Sequence, residues 1–188
     1  MISFVVFFLA AFMLAFSPQI IILLLGEKWL PAVPFMRVVC CTVCVNPLIV
    51  INQTISTSLG RSDYYIKTTI VSKFMAIGLI ALSSLYNVYL MVIAGAIANV
   101  LTFIITAKYN KSLIGYTYKE ILKDDMPSLI LSAIACGITY LIITLISNHY
   151  LIELIIGALL SVTIYLLLSL IFKQQSLAYL REIVIKKK

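Results

Sequence analysis

From Phe74 to Ala107 the chain runs 34 residues without one charged side chain. As a single helix this run would be about 51 Å long at 1.5 Å per residue. The hydrocarbon core of a bilayer is only about 30 Å thick, and tilt absorbs a few ångströms of excess, not twenty. The run must therefore fold back on itself. Tyr86-Asn87 is the natural break, giving spans over 64–85 and 88–107, the first taking its entry from Tyr64 to Lys73. A hairpin of this kind, buried on all sides, does not fit a small water-soluble globule. The whole chain agrees: it is 63% hydrophobic and 11% charged over 188 residues, with a mean hydropathy of +1.12. Soluble domains carry roughly 25% charged residues, so lipid is the consistent solvent.

Stretches of about 20 apolar residues qualify as crossings. They fall at 2–25, 36–59, 64–85, 88–107, 128–147 and 152–172. The expected fold is all-α and polytopic: a six-span bundle over 1–172, an amphipathic cytoplasmic loop at 108–127 and a basic tail at 173–188. No basic residue precedes the first apolar run, which is also too long for a signal-peptide core. It reads as a span. With six spans, 60–63, the entry turns of span three, 108–127 and 173–188 collect twelve of the fourteen Lys and Arg residues, while the opposite side has only Lys28 and Arg37. This asymmetry marks the cytoplasmic side and puts both termini there. It also accounts for the net charge of +7 without nucleic acid, for which no basic stripe with interleaved aromatics exists.

The outer turn GEKW then carries Trp29 at headgroup depth, and Pro31 is expected in the first turn of the next helix. The cysteines Cys40, Cys41, Cys44 and Cys136 all lie in apolar stretches and read as buried filler.

Span two is the most polar. Thr42, Asn46, Gln53, Ser56 and Thr57 share about a third of its circumference, with Pro47 expected to kink it. This face fits either interhelical hydrogen bonding or the wall of a water-filled cavity. Arg37 lies on another face near the outer end, where it can snorkel. After span two, Gly60 reads as a helix stop and Asp63 as the cap of the next helix. Lys67 and Lys73 follow, about 120° apart, with Lys73 about 15 Å along the axis from Asp63. A cation at that depth is costly against lipid and calls for protein, water or an anion in front of it.

Span four carries a stripe of Gly95, Asn99, Thr102 and Thr106 beside Ala94 and Ala98. Span five has Ser132, Cys136 and Thr139 on one face, and span six has Gly157 four residues before Ser161. All three read as close helix packing. Glu153 is expected at the outer edge of span six and His149 in the outer loop. No nucleophile–base set, metal-binding carboxylate cluster or phosphate loop is present. The pair Asp124-Asp125 diverges on a helix and reads as a solvated face. The expectation is a non-enzyme without metal or cofactor.

Three landmarks in order, LLLGEKWLPAVPFMRV, SLGRSDYYIKTTIVSK and KSLIGYTYKEILKDDMPSLILS, resemble the C-terminal part of bacterial polysaccharide flippases. These are the lipopolysaccharide O-unit and exopolysaccharide transporters of the MATE-like superfamily, and nearly the whole chain falls within the likeness. The resemblance implies a transporter of about 12–14 helices in two lobes, of which these six would be the last. It implies translocation of undecaprenyl-pyrophosphate-linked oligosaccharide across the bacterial cytoplasmic membrane by alternating access. Lys67 and Lys73 stand where the family often has basic residues after its Gly-Arg-Ser-Asp turn. Arg37, Lys67, Lys73, Asn46 and Gln53 are the candidate substrate-binding residues. The family has a long stretch before this region, so the chain reads as a C-terminal portion, completed by an N-terminal lobe or by self-association. Membrane lipids and the lipid-linked sugar are the expected partners. Two further readings stand beside it: an ion-coupled exporter of small molecules with the same fold, and an inactive fragment or membrane scaffold.

Overall fold

The computed structural model describes residues 2–114, 118–146 and 150–171. Among them the regular elements are all helical: α1 (Ile2–Ala15), α2 (Ser17–Leu25), a 3-10 turn (Glu27–Ala32), α3 (Val33–Val43), α4 (Asn46–Ser58), α5 (Ser62–Ser84), α6 (Val88–Ile114), α7 (Tyr118–Ile146) and α8 (Tyr150–Ile171). Four helical stretches besides Glu27–Ser58 are long and apolar enough to cross a membrane: Ser62–Ser84, Val88–Asn110, Asp125–Thr144 and Tyr150–Ile171. The bent pair α1–α2 makes a sixth if it is counted as one crossing. This is an all-helical, multi-pass membrane protein. The chain forms two compact units, Met1–Cys40 with Asp125–Lys188, and Cys41–Asp124.

The polarity of the helices is the reverse of that in a water-soluble bundle. Along α8 the buried residues are Glu153, Gly157, Ser161, Tyr165 and Ser169, one every fourth position. Leu151, Ile155, Leu159 and Leu167 are exposed. In α5 the buried residues are Thr68 and Ser72, while Ile66, Ile70, Phe74 and Ile77 point outward. Where lipid surrounds a helix there is no gain in hiding leucine, and small or hydrogen-bonding residues take the contacts between helices.

In the first unit, α1 and α2 meet at 74° rather than forming the one straight span expected over 2–25. The cause is Pro18. It has no N–H to give the Leu14 carbonyl, and its ring crowds that position. The Ser17 hydroxyl donates to the Leu14 oxygen instead, at 3.1 Å. Phe16 at the corner is fully buried, its ring against Phe12 and edge-on to Tyr140. Further along α1, Phe4 and Phe8 both stack on Tyr165, whose hydroxyl donates to the Phe4 carbonyl at 3.0 Å. Leu131 and Ala135 of α7 complete that cluster. Ser132, Cys136 and Thr139 are all buried, as the packing stripe of span five anticipated.

The entry to α3 differs in detail from the expectation. Pro31 lies within the 3-10 turn, and Pro34 takes the second position of α3. At the first turn of a helix the missing N–H costs nothing, so the substitution of one proline for the other follows the same rule. Trp29 is exposed.

In the second unit, Pro47 interrupts the polar span: α3 ends at Val43, and α4 restarts at Asn46 with Pro47 in its first turn. The end of α4 is a Schellman motif. Gly60 at φ 69 lets its N–H reach Thr57 O at 3.0 Å and the Arg61 N–H reach Ser56 O at 3.1 Å. The cap position of α5 is Arg61, not Asp63, which sits in the first turn and there complements the positive helix end. Arg61 lies 5.5 Å from the centre of the Tyr64 ring, which in turn meets Tyr109 edge-on. The α5–α6 hairpin turns at Leu85–Asn87, and the Asn87 Oδ1 accepts the Tyr89 N–H at 3.3 Å. Leu48, Ile49, Phe103 and Ala107 join α4 to α6.

The segment read as a loop over 108–127 is mostly helical. α6 continues to Ile114, α7 begins at Tyr118, and Pro127 falls inside α7 instead of opening it. The Lys, Glu, Ile and Leu residues around Tyr118–Leu122 are good helix formers, which extends the helix ahead of the proline. Of the amphipathic face proposed there, the Leu122 side chain packs on the α4–α6 cluster. His149 and the tail 173–188 lie outside the described residues.

Candidate functional site

The bend in the first unit gathers polar side chains inside an apolar bundle. Ser17 and Gln19 occupy the first turn of α2, directly after the corner, and both are buried. Ser17 relays between two elements. Its Oγ accepts the Arg37 Nε–H at 3.1 Å and donates to Leu14 O at the same distance. Gln19 points to α8, where its Nε2 donates to the Glu153 Oε2 at 3.1 Å. Glu153 stands in the first turn of its span, at the edge where the sequence places it, and its side chain is buried there between helices, at 7% exposure. It lies in the first turn of α8, where the helix dipole favours negative charge. The Gln19 amide is half used: its Oε1 is buried and has no hydrogen-bond partner.

One turn further along α8 the same face meets the corner itself. A Cβ on Gly157 would lie 2.7 Å from Phe16 Cζ and 3.1 Å from Ile143 Cδ1. Only glycine admits the buried ring there, so Gly157 sets how closely α2 approaches α8 and hence whether Gln19 reaches Glu153.

The second unit holds its own polar interior. Asn110 of α6 donates through Nδ2 to Asn52 O at 2.8 Å and to Asn52 Oδ1 at 2.7 Å, while its Oδ1 accepts from Ser56 Oγ at 2.8 Å. Asn52 in turn donates to Leu48 O at 2.8 Å. Every amide end is engaged, which makes this a clamp between α4 and α6.

The five residues singled out in the sequence divide between the two units. Arg37 belongs to the first unit; it is exposed apart from its bond to Ser17. Asn46, Gln53, Lys67 and Lys73 belong to the second. Asn46, Lys67 and Lys73 are exposed and Gln53 is half-buried. Lys73 is the twelfth residue of the 23-residue α5, about 16 Å from its start, between exposed Ile70, Phe74 and Ile77. Behind it Thr69 Oγ1 and Ser72 Oγ are buried without partners.

Two pairings escaped the sequence reading. Asn52 and Asn110 sit 58 positions apart, and Gln19 and Glu153 sit 134 apart. The available signal was general: an amide or carboxylate within an apolar run is costly in lipid and needs a partner. On α4 the buried amide is Asn52, and its neighbour Gln53, the sequence candidate, is half-buried. On α6 the buried face runs through Ala94, Ala98, Phe103, Thr106, Ala107 and Asn110; Ala94, Ala98 and Thr106 belong to the expected stripe, while Gly95, Asn99 and Thr102 are only half-buried. Gly95 has open space where its Cβ would stand.

Cys40 and Cys136 are buried as expected, but Cys41 is exposed. Among the described residues no three His, Cys, Asp or Glu side chains gather into a metal-sized group. No protein family model, curated protein or solved structure matches the chain.

Proposed function

We propose that the protein moves a polyprenyl-pyrophosphate-linked oligosaccharide from the inner to the outer leaflet of a bacterial cytoplasmic membrane, with both termini on the cytoplasmic side. The observation that carries this reading is Lys73. It is an exposed cation at the middle of an apolar helix that is long enough to cross the bilayer. A lysine there needs an anion, water or protein in front of it. A pyrophosphate head supplies two or more negative charges to a region where charge is poorly screened. The broken helices support a transport role, since interrupted spans with polar residues at the break are the usual architecture of binding regions in secondary transporters. Both α1–α2 and α3–α4 are interrupted at proline. The three ordered sequence landmarks supply the substrate class.

Expression in a strain lacking its own O-unit translocase tests the reading. The wild-type chain is expected to restore surface polysaccharide, and Lys73→Ala to reduce it while the protein remains in the membrane fraction. Equal export by wild type and Lys73→Ala removes the lysine from the mechanism.

A second reading has a specific observation in its favour. Glu153 is a carboxylate buried between helices in the first turn of a span, and ion-coupled exporters of small molecules depend on buried carboxylates. A drug-efflux assay run beside the polysaccharide assay separates the two.

A further inference from the structure

In the second unit, three kinds of side chain meet at the end of the α5–α6 hairpin where α5 starts. The first is cationic. Arg61 caps α5, Lys67 stands in its second turn and Lys108 lies on α6, and all three are exposed. The second is aromatic. The Tyr64 ring has the Arg61 guanidinium carbon 5.5 Å from its centre and the Tyr109 ring edge-on at 5.9 Å. α5 and α6 run antiparallel from the turn at Leu85–Asn87, so that ring contact brings Lys108 level with Tyr64 and Tyr65. The third is apolar. Ile66, Ile70 and Phe74 are exposed at steps of four residues along α5. Lys67 precedes Ile70 by three residues and Phe74 by seven, so it stands at the head of the same stripe.

The arginine is held in place by the chain itself. The Arg61 N–H donates to Ser56 O, and the Arg61 carbonyl accepts the Tyr64 N–H, each at 3.1 Å. A guanidinium against an aromatic face keeps its N–H edges free, and those edges match the oxygens of a phosphate. Asp63 is the one carboxylate in the first two turns of α5, so the patch keeps a positive balance.

We infer that this end of α5 and α6 is a binding site for an anionic phospholipid. Arg61, Lys67 and Lys108 hold its phosphate, and an acyl chain lies along Ile66, Ile70 and Phe74. Charge alone would suit any acidic partner, but the setting favours a lipid. The cations stand where two stretches able to cross a membrane end, Ser62–Ser84 and Val88–Asn110. Tyr64, Tyr65 and Tyr109 mark the same level, as aromatic side chains do at headgroup depth. Lys67 is about 8 Å along the axis from the start of α5, close enough for its long stem to return the ammonium to the headgroups. The apolar stripe then leads from Lys67 into the membrane. An acidic protein segment arriving from water would use the cations and leave the stripe idle. Nothing in this binding depends on what the protein transports.

The test uses the full chain in phosphatidylcholine vesicles with a fluorescent reporter at the patch. Ile66→Trp in a Trp29→Phe background puts the single indole beside Lys67. Phospholipids with brominated acyl chains quench an indole that they touch. At a low mole fraction, brominated phosphatidylglycerol should quench the reporter several-fold more than brominated phosphatidylcholine. Neutralising the patch with Arg61→Gln, Lys67→Gln and Lys108→Gln together should remove that difference. Lys186→Gln, Lys187→Gln and Lys188→Gln together take the same charge from the tail and should leave it. Salt at about 1 M, where the screening length falls to about 3 Å, should shrink it. Equal quenching by the two lipids in the reporter chain with its cations intact overturns the site. A preference lost as fully in the tail variant as in the patch variant does so too, since it would report total charge only. Binding of polyglutamate that the patch variant loses, with no preference between the lipids, would overturn it in favour of an acidic protein segment.

Discussion

The ring of Phe16 lies directly on Gly157, so closely that a methyl group in place of the glycine hydrogen would come within 2.8 Å of two ring carbons. Phe16 has no room to retreat, being fully buried against Phe12 and Tyr140. Gly157→Ala should therefore lower thermal stability in detergent. Overpacking costs about 1–3 kcal/mol, and the better helix propensity of alanine returns only about 0.5–1 kcal/mol. Adding Phe16→Leu should recover part of the loss. A more stable Gly157→Ala would show that the corner is loosely packed.

The amides of Asn52 and Asn110 couple α4 to α6. Asn110→Leu leaves the Asn52 Oδ1 without its donor, while Ser56 Oγ keeps the Asn52 carbonyl at 3.3 Å, at a cost of about 1–3 kcal/mol. Side-chain hydrogen bonds between helices in membranes are weaker in net terms than that figure suggests. A double-mutant cycle with Asn52→Leu should yield a coupling of about 0.5–1.5 kcal/mol. Strict additivity would mean that the two amides do not interact.

Pro18 makes the bend, so Pro18→Ala should open it. Restoring an N–H at position 18 allows the ladder bond to Leu14 O that Ser17 now replaces. Spin labels at the exposed Leu9 and Leu24, in a cysteine-free background, report the change. With a 74° corner the helix axes at these positions are about 18 Å apart, against about 23 Å for a straight helix at 1.5 Å per residue. An unchanged distance would show that packing of Phe16, not the proline, holds the corner.

Charge asymmetry predicts where the loops lie. Cysteines placed at Lys28 and at Lys187 should react with a membrane-impermeant maleimide from opposite sides, Lys28 from outside the cell. Labelling of both from one side would mean an even number of crossings between them and would exclude the expected five.

The crossings were legible because they depend on a quantity carried by single residues, the cost of a charge in lipid. The same arithmetic located the turn at Tyr86-Asn87. Direction within a span was not legible. Pro18 and Pro47 are comparable signals in the sequence, and Pro47 was expected to kink its helix. The corner at Pro18 depends as well on Ser17 taking over the Leu14 carbonyl and on Gly157 admitting Phe16. The place of Glu153 at the start of α8 is legible in the sequence, but its burial is not, because the partner that holds it sits 134 positions earlier. Periodicity finds the face of a helix, but it carries no information about which face of which helix lies opposite.

Translocation itself is the most direct measurement. Purified chain is reconstituted into vesicles containing a fluorescent, short-chain polyprenyl-pyrophosphate saccharide, and a lectin added outside reports sugar reaching the outer leaflet. The account predicts faster exposure than in protein-free vesicles, slowed at least several-fold by Lys73→Ala. Exposure no faster than in protein-free vesicles would contradict it.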